Sequence, residues 1–293
     1  MKKNLFGKII VSFFILAVFL PGYLTGARGA DSKIKEIITK PDFFSTLSSE
    51  PQIRSVKEVL GVQTQALDIY LPVLMYHHVG ETQGLNNSLD IDLTVTPSDF
   101  EQQLEYFKQQ GFVSISVAKA TEFFESGKEF GEKYIIFTFD DGYSDVFINA
   151  VPILIKHGFV GSFAIATDLL GRPGYANWDQ VKAAKEVGME ILSHSRNHLD
   201  LASAKYSEQD LQREIFESKK ILEEKLGTVI ESFVYPYGRY NDRVVELVKQ
   251  VGYKIAFTTN FGDKINTSAA LISPRIRVHG ENGLQRLKKV MWR

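Results

Sequence analysis

The stretch Tyr134-Ile135-Ile136-Phe137-Thr138-Phe139-Asp140-Asp141-Gly142 joins a nearly continuous apolar run to two adjacent carboxylates and a glycine. A short apolar run of this kind is typical of a strand in a parallel sheet that is covered on both faces. The glycine allows a sharp turn at the end of the strand, and such a turn can bring both carboxylates into one site. An ordinary Asp-Gly turn is the alternative interpretation of the same residues.

A second polar motif, His194-Ser195-Arg196-Asn197-His198, follows another short apolar stretch farther along the chain. A spacing of four residues would place both imidazoles on one face of a helical turn, where they could bind one metal ion. It is not the metalloprotease helix motif, because Ser195 stands where that motif has glutamate. Two surface or capping histidines are the alternative. With one aspartate, the two histidines make three ligands and leave a position for water, as in a catalytic zinc site.

Short apolar runs alternate with amphipathic segments on both sides of these motifs, which predicts a parallel α/β architecture. An open doubly wound sheet and a closed barrel both fit this alternation. The predicted strands are 73–76, 113–117, 134–139, 163–166, 190–192, 233–234 and 255–258. The predicted helices begin after the capping residues Thr96 and Ser207 or span 150–157, 178–187 and 243–251. No dinucleotide fingerprint or phosphate loop is present in the sequence.

The composition excludes several classes of site. The 293 residues are 44% apolar and 24% charged, with a formal net charge of −1, so nothing indicates a nucleic-acid partner. The chain has no cysteine, which excludes disulfides, thiolate metal sites and a cysteine nucleophile. Any metal must therefore be held by nitrogen and oxygen ligands.

The amino terminus has the three-part layout of a secretory signal. Lys2, Lys3 and Lys8 precede an apolar stretch at 9–20, which is shorter than the roughly 20 residues of a membrane span. We expect residues 1–30 to be a signal peptide or an uncleaved membrane anchor, and the protein to be secreted or displayed on the cell surface. Residues 31–71 are an N-terminal extension of unknown role, and 72–293 form the predicted catalytic domain.

Further polar residues follow other predicted strands. A histidine at His77 or His78, after strand 73–76, could protonate a departing amine. The backbone N–H of Tyr237, in Tyr235-Pro236-Tyr237-Gly238, could face a developing oxyanion. Arg275 and Arg277 could pair with a carboxylate base, and an arginine partner would keep it ionised. Each of these residues has a structural alternative. The histidine could be a core or capping residue, the Tyr237 segment a plain turn, and each arginine part of a solvated salt bridge. His157 and His279 are interpreted as structural.

As an ordered set, these motifs resemble those of the polysaccharide deacetylases, carbohydrate esterase family four. The matching motifs are Thr138-Phe139-Asp140-Asp141-Gly142, His194-x-x-x-His198 and Tyr235-Pro236-Tyr237-Gly238. The early motif Leu74-Met75-Tyr76-His77-His78-Val79 is similar to the branch that deacetylates biofilm poly-N-acetylglucosamine. The resemblance covers roughly residues 72 to 280, and it implies a distorted (β/α) barrel with fewer than eight regular strands.

The resemblance also implies a role for each motif. Asp140 would be the general base, Tyr237 would supply an oxyanion amide, and His77, which directly follows the tyrosine, would be the general acid. The implied metal ligands are Asp141, His194 and His198. Most members carry an arginine just before the Pro-Tyr motif, whereas this chain has Phe233-Val234-Tyr235 there. The arginine role is therefore assigned to Arg275.

We therefore expect a metal-dependent hydrolase that removes N-acetyl groups from an N-acetylglucosamine-containing polysaccharide and releases acetate. Biofilm poly-N-acetylglucosamine, peptidoglycan and chitin-type polymers all fit. The expected metal is Zn²⁺, although Co²⁺, Ni²⁺ and Fe²⁺ suit the same ligands. Tyr143, Pro236 and Trp178 are expected to line the substrate groove. The alternatives are an O-acetyl esterase acting on xylan or a related glycan, and a non-catalytic, metal-dependent glycan-binding surface protein.

Overall fold

The computed structural model describes residues 67–127, 131–281 and 283–291. The predicted signal peptide or anchor and nearly all of the predicted extension lie outside the described residues. Within those ranges, none of the helices has the length and apolarity that crossing a membrane requires.

A closed barrel of parallel strands forms the centre of the described unit. Its strands follow one another in the order β2, β12, β10, β9, β8, β7 and β6, and β6 pairs with β2 to close the ring. The strand bounds are β1 (Asp68–Tyr70), β2 (Val73–Tyr76), β3 (His78–Val79), β4 (Thr94–Val95), β5 (Phe112–Ser114), β6 (Lys133–Phe139), β7 (Gly161–Ile165), β8 (Glu190–Ser193), β9 (Ser232–Val234), β10 (Ile255–Phe261), β11 (Lys264–Asn266) and β12 (Ser273–Arg277). The predicted distorted (β/α) barrel is confirmed, and closure excludes the open doubly wound sheet.

The distortion arises at β6, which pairs with two strands along one edge. The first part of β6 pairs with β5, in the register Phe112 to Lys133, and the second part pairs with β2, in the register Val73 to Ile136. Only the second half of β6 therefore belongs to the closed ring, and β5, which pairs with the first half, lies outside it. The carboxyl end of β6, where Asp140 and Asp141 follow, thus lies at the mouth of the barrel.

Helices surround the ring, and polar caps mark where several of them begin. Thr96 caps the helix that starts at Pro97, and Ser207 and Asp210 form the predicted capping box. The helix bounds are α1 (Ser88–Leu93), α2 (Pro97–Gln109), α3 (Val117–Ser126), α4 (Val151–His157), α5 (Trp178–Glu186), α6 (Glu208–Gln212), α7 (Ser218–Leu226), α8 (Asp242–Gln250) and α9 (Gly283–Met291). Single π-helical segments precede α4 (Val146–Ala150) and join α6 to α7 (Arg213–Glu217).

The alternation of side chains along β6 explains its apolar sequence. Phe137 and Phe139 belong to the core between barrel and helices, whereas Ile136 belongs to the cluster that fills the barrel. Because successive side chains point to opposite faces, Thr138 and Asp140 share the inner face with Ile136. Asp140 consequently stands at the top of the barrel interior.

Two predictions differ from the structure. The predicted strand 113–117 ends at Ser114, because Ser116 caps a helix that begins at Val117. The barrel unit also begins before the expected residue 72, since β1 pairs antiparallel with β11. Both differences depend on contacts with residues distant in the sequence. Glu190 of β8, for example, accepts hydrogen bonds from the N–H groups of Val117 and Ala118 and so anchors the start of α3.

Candidate active site

A buried ion pair occupies the top of the barrel interior. Arg275 of β12 donates two hydrogen bonds to Asp140, Nη1 to Oδ1 and Nη2 to Oδ2, both at 2.7 Å. Burial alone would raise the pKa of Asp140, but the charge and hydrogen bonds of Arg275 outweigh it and hold the pKa below the ordinary value of 3.8. Arg275 also donates to the carbonyl oxygen of Thr258 and to the hydroxyl of Thr138, so its guanidinium is held on several sides. The structure thus places Arg275 directly against Asp140.

Beside this pair, Asp141, His194 and His198 form a compact cluster of possible metal ligands. Asp141 Oδ1 lies 3.1 Å from Nε2 of each histidine. A tetrahedral zinc with bonds of about 2.0–2.2 Å separates its ligand atoms by about 3.3–3.6 Å, so the two distances from Asp141 Oδ1 would need to lengthen by only about 0.2–0.5 Å around an ion. The structure therefore brings together the three residues that the two motifs supply.

The orientation of His194 also fits a metal. Its Nδ1–H donates to the carbonyl oxygen of Val234 at 2.7 Å, at the end of β9. A neutral His194 then presents the lone pair of Nε2 to the carboxylate of Asp141, and two acceptors in contact need a proton or a cation between them. A hydrogen bond from the other ring nitrogen to a carbonyl is the usual way in which proteins orient a ligating histidine.

The two histidines do not lie on a helical turn, in contrast to the expected arrangement. Residues 194–200 form a loop, and Ser195 and His198 have positive φ angles of 63° and 55°. These left-handed residues turn the chain back, so that both Nε2 atoms reach Asp141 from a loop. The hydroxyl of Ser195 accepts the N–H of His198 at 3.1 Å and closes the turn.

A buried carboxylate that the sequence did not single out holds this loop. Glu214, which is 4% exposed, accepts the N–H groups of Arg196 at 3.1 Å and Asn197 at 2.8 Å. Its other oxygen accepts the side-chain amide of Asn197 at 2.7 Å. One signal was available: Glu214 lies three residues after Leu211 and four before Ser218, on the buried face of the predicted helix. A charged residue on such a face needs partners.

Positive φ angles outside glycine are confined to this site among the described residues. They occur at Asp141 (74°), Ser195 (63°), His198 (55°) and Tyr237 (58°). Each costs free energy in a residue with a Cβ, and such strain is typical of functional sites. Asp141 and His198 are candidate metal ligands, and Ser195 follows the candidate ligand His194. Tyr237 carries the candidate oxyanion amide.

The adjacent histidines after β2 have different surroundings. His78 lies 2.9 Å from the carboxylate of Asp145 through Nδ1, and its ring stacks on Tyr143 at a centroid distance of 3.9 Å. His77 is close enough to Asp140 and Asp141 for their charges to act on it, but burial dominates and lowers its pKa. Its buried Nδ1 has no hydrogen-bond partner among the described residues. His77 therefore faces the acidic pair, whereas His78 has a partner elsewhere.

The turn after β9 places Tyr237 next to the cluster. Its ring centroid lies 4.4 Å from that of His198, and its side chain is half exposed. Pro236 is buried at the start of this turn. A Cβ at Gly238, whose φ is +67°, would come within 2.1–2.6 Å of Thr259, so glycine is required at this position. The turn is thus shaped by contact with β10.

The predicted substrate aromatics separate into two groups. Tyr143 lies between His78 and Tyr175, with 5.0 Å between the tyrosine ring centroids, and burial and the nearby Asp141 raise its pKa. Trp178 packs against the core, and the ammonium of Lys225 lies 5.9 Å from its ring centroid. The structure thus places Tyr143 at the site, and it adds Tyr175, which the sequence did not single out.

The two histidines interpreted as structural both pair with surface carboxylates. His157 lies 2.9 Å from Glu101, and His279 lies 2.8 Å from Asp92. Neither belongs to the Asp141 cluster.

Comparison with known proteins agrees with this geometry. The pattern that defines the family described as Polysaccharide deacetylase matches residues 127–256. A poly-beta-1,6-N-acetyl-D-glucosamine N-deacetylase of Staphylococcus aureus (strain MRSA252) is 27% identical over 205 residues, which cover 63% of this chain and 70% of the relative. The protein of the same name from Escherichia coli (strain K12) is 24% identical over 234 residues, 66% of this chain and 35% of the relative. The match thus spans about a third of that longer protein.

Among solved structures, the Streptococcus pyogenes deacetylase PplD in complex with acetate superposes with a TM-score of 0.69 at 28% identity, over 78% of this chain and 100% of that chain. Its barrel and that of this chain have the same architecture. Residues 127–256 thus match the polysaccharide deacetylase family, and the matches support a hydrolase that acts on C–N bonds.

Proposed function

We propose that this protein removes N-acetyl groups from an N-acetylglucosamine-containing polysaccharide in a metal-dependent hydrolysis that releases acetate. The proposal rests on two groups of side chains that lie side by side at the mouth of the barrel. One is the ionised Asp140, held by Arg275, and the other is the Asp141, His194 and His198 cluster. A base next to a metal site is an arrangement that can hydrolyse an unactivated amide.

Asp141, His194 and His198 would hold the ion, for which Zn²⁺ is the proposed identity. When bound, a divalent metal supplies Lewis-acid polarisation of the acetamide carbonyl and of water. Asp140 then accepts a proton from the attacking water, and its lowered pKa keeps it ionised for this step. Arg275 fixes both carboxylate oxygens and so orients the base.

The remaining steps concern the carbonyl oxygen and the leaving amine. The backbone N–H of Tyr237 donates to the carbonyl oxygen as negative charge develops there. His77 gives a proton to the sugar nitrogen, and acetate departs as the C–N bond breaks. Burial lowers the pKa of His77, which makes its protonated form a stronger acid.

The substrate class rests on the names of the relatives. Those from S. aureus and E. coli are named for poly-beta-1,6-N-acetyl-D-glucosamine, and the S. pyogenes structure holds acetate, the second product of such a reaction. We propose a location outside the cytoplasm, because such polymers occur there and because the amino terminus has the layout of a secretory signal. Attachment to the membrane through residues 9–20 belongs to the same proposal.

The test is acetate release by the purified zinc-loaded protein from β-1,6- and β-1,4-linked N-acetylglucosamine oligomers. Acetylated xylan is included to detect an O-acetyl esterase. Asp140→Asn should abolish release while zinc stays bound, and His194→Ala should lose zinc itself. Full activity of Asp140→Asn would refute the base assignment, and release from xylan alone would replace the N-deacetylase by the esterase.

A further inference from the structure

A cavity of about 370 Å³ adjoins the metal-ligand cluster. It is lined by His198, Leu199, Asp200, Lys205, Tyr206, Tyr237 and Arg239. It shares His198 and Tyr237 with the active site, so a polymer whose acetamide reaches Asp141 would place a neighbouring sugar there. Its volume lies in the range of about 300–1,000 Å³ that is usual for small-molecule sites.

Hydrogen bonds connect the two loops that form the walls of the cavity. One loop follows β8 and the other follows β9, and Arg239 Nη1 lies 2.6 Å from Asp200 Oδ2 across them. Asn241 Nδ2 also donates to the carbonyl oxygen of Ala202 at 3.3 Å. The space between the loops is therefore formed before any ligand enters.

The charges around this cavity do not balance. Arg239 and Asp200 pair with each other, whereas Lys205 forms no ion pair within the described part of the chain. Its ammonium lies 4.8 Å from the ring centroid of Tyr206, a cation–π contact that holds the charge at the cavity wall. The cavity consequently carries one uncompensated positive charge, and a divalent ion at His198 would add to the positive potential.

We infer that this cavity is a subsite for an anionic substituent, a carboxylate or a phosphate, on the sugar next to the one that is deacetylated. The inference deepens the proposed function and rests on it. A homopolymer of N-acetylglucosamine offers only neutral groups to Lys205, and its deacetylated residues carry ammonium groups that this cavity would repel. A glycan with acidic substituents would instead gain an ion pair.

The kinetic test compares two oligosaccharides with the same backbone. One alternates N-acetylglucosamine with its 3-O-lactyl derivative, and in the other the lactyl carboxylates are converted to neutral amides. A glycan that bears phosphate in place of the lactyl group forms a third arm and separates the two sources of the anion. One exposed ion pair contributes up to about 1 kcal/mol, so the wild type should favour an anionic glycan by up to about fivefold in kcat/KM.

Lys205→Glu should abolish or reverse this preference, and Lys205→Ala should reduce it. Lys249→Glu makes the same change of charge in the last turn of α8, at the end of that helix away from the cavity, and should retain the preference. Salt should weaken the preference of the wild type, because screening acts on exposed charges. Equal kcat/KM for all three glycans, or a preference indifferent to Lys205→Glu, would overturn the inference.

A binding measurement separates this inference from the proposed function. Titration calorimetry with zinc-loaded Asp140→Asn gives Kd for each oligosaccharide without turnover. Tighter binding of an anionic glycan that Lys205→Glu removes would support the subsite even if the wild type released no acetate. Acetate release from neutral oligomers, combined with equal Kd values for all glycans, would sustain the deacetylase and refute the subsite.

Discussion

At the scale of single residues, the site depends on backbone conformations that side chains disfavour. Asp141, Ser195, His198 and Tyr237 are all left-handed, at a cost of roughly 1–3 kcal/mol each. The surrounding fold stabilises these conformations, because β6, β8 and β9 end at defined places and the following turns are packed. The strain is the cost of presenting neighbouring groups to one point.

Tyr237→Gly tests whether the backbone or the ring of Tyr237 matters. Glycine adopts the positive φ without strain and keeps the N–H, so kcat should stay within about threefold of the wild type, and the relieved strain should offset the loss of ring packing in stability. The measurements are kcat for acetate release and the free energy of unfolding. A loss of more than about a hundredfold in kcat would assign the reaction to the phenol instead, since such losses follow removal of a group that acts in the transition state.

Arg275→Gln tests the source of the lowered pKa of Asp140. In the wild type this carboxylate contributes stability above its ordinary pKa, and the contribution is lost as the pH falls through the lower folded pKa. Without the guanidinium, burial raises the pKa of Asp140, so activity should fall at a higher pH than in the wild type. Removing one partner of a buried pair should also cost about 3–5 kcal/mol of stability.

The measurement is kcat/KM between pH 4 and pH 8. Arg275→Lys retains the charge but not the two-fold contact, and its acid limb should lie between those of the wild type and Arg275→Gln. An acid limb that does not move in Arg275→Gln would show that another group limits activity at low pH.

At the scale of elements, the segment between α6 and α7 positions a loop of the site. Glu214 lies in the π-helical segment Arg213–Glu217, and its carboxylate holds the loop that carries His198. Such segments often occur at functional sites. The amphipathic pattern predicted a helix here but not the widened turn, because the pattern records only which residues are buried.

Glu214→Gln should weaken zinc binding by about 10–100-fold, the usual effect of losing a group that orients a metal ligand. The amide retains the size of the carboxylate but offers one acceptor oxygen, so it cannot accept all three N–H groups. Competition with a chelator measures zinc affinity independently of activity. Glu217→Gln is the matched control on the same segment. Among the described residues, Glu217 forms an ion pair with the side chain of Arg196 and holds no backbone N–H of the loop, so this variant should bind zinc nearly as well as the wild type. Equal zinc affinity in the two variants would remove Glu214 from its positioning role.

At the scale of the whole molecule, the closed ring brings together residues that are far apart in the chain. Arg275 and Asp140 are 135 positions apart, and His194 and Asp141 are 53 apart. Because all strands of the ring are parallel, their carboxyl ends meet at one mouth. A metal bound there links the ends of β6 and β8, so its removal should affect the stability of the barrel.

The stabilisation by zinc should increase with pH. Burial alone lowers the pKa of His194, but the hydrogen bond and charge of Asp141 and the charge of Asp140 outweigh it and raise the pKa. In the metal-free protein, the protonated His194 stabilises the fold through its contact with the carboxylates. This contribution is fully present below the ordinary pKa of 6.5 and is lost as the pH rises through the folded pKa. Zinc needs the deprotonated imidazole, so the loaded protein gains stability over the same window.

The measurement is Tm of zinc-loaded and chelator-treated protein from pH 6 to pH 8. The difference in Tm between the two forms should widen with pH. The corresponding difference in the free energy of unfolding should reach about 4 kcal/mol where free zinc exceeds its Kd a thousandfold. The His194→Ala variant should show little difference in Tm at any pH. A difference that narrows as the pH rises would contradict the ligand assignment.

The sequence by itself determined the strand–helix alternation, the chemical types of the ligands and the motifs of the site, because these depend on local periodicity and on residues close in the chain. Only the tertiary structure decided that the sheet closes, that Arg275 reaches Asp140, and that Glu214 holds the histidine loop. It also placed His78 against Asp145 and His77 near Asp140 and Asp141, contacts that their adjacent positions in the sequence do not reveal. Closure and these contacts depend on the pairing of β6 with β2 and on side chains that meet across the barrel, and no local pattern records which distant residues come into contact.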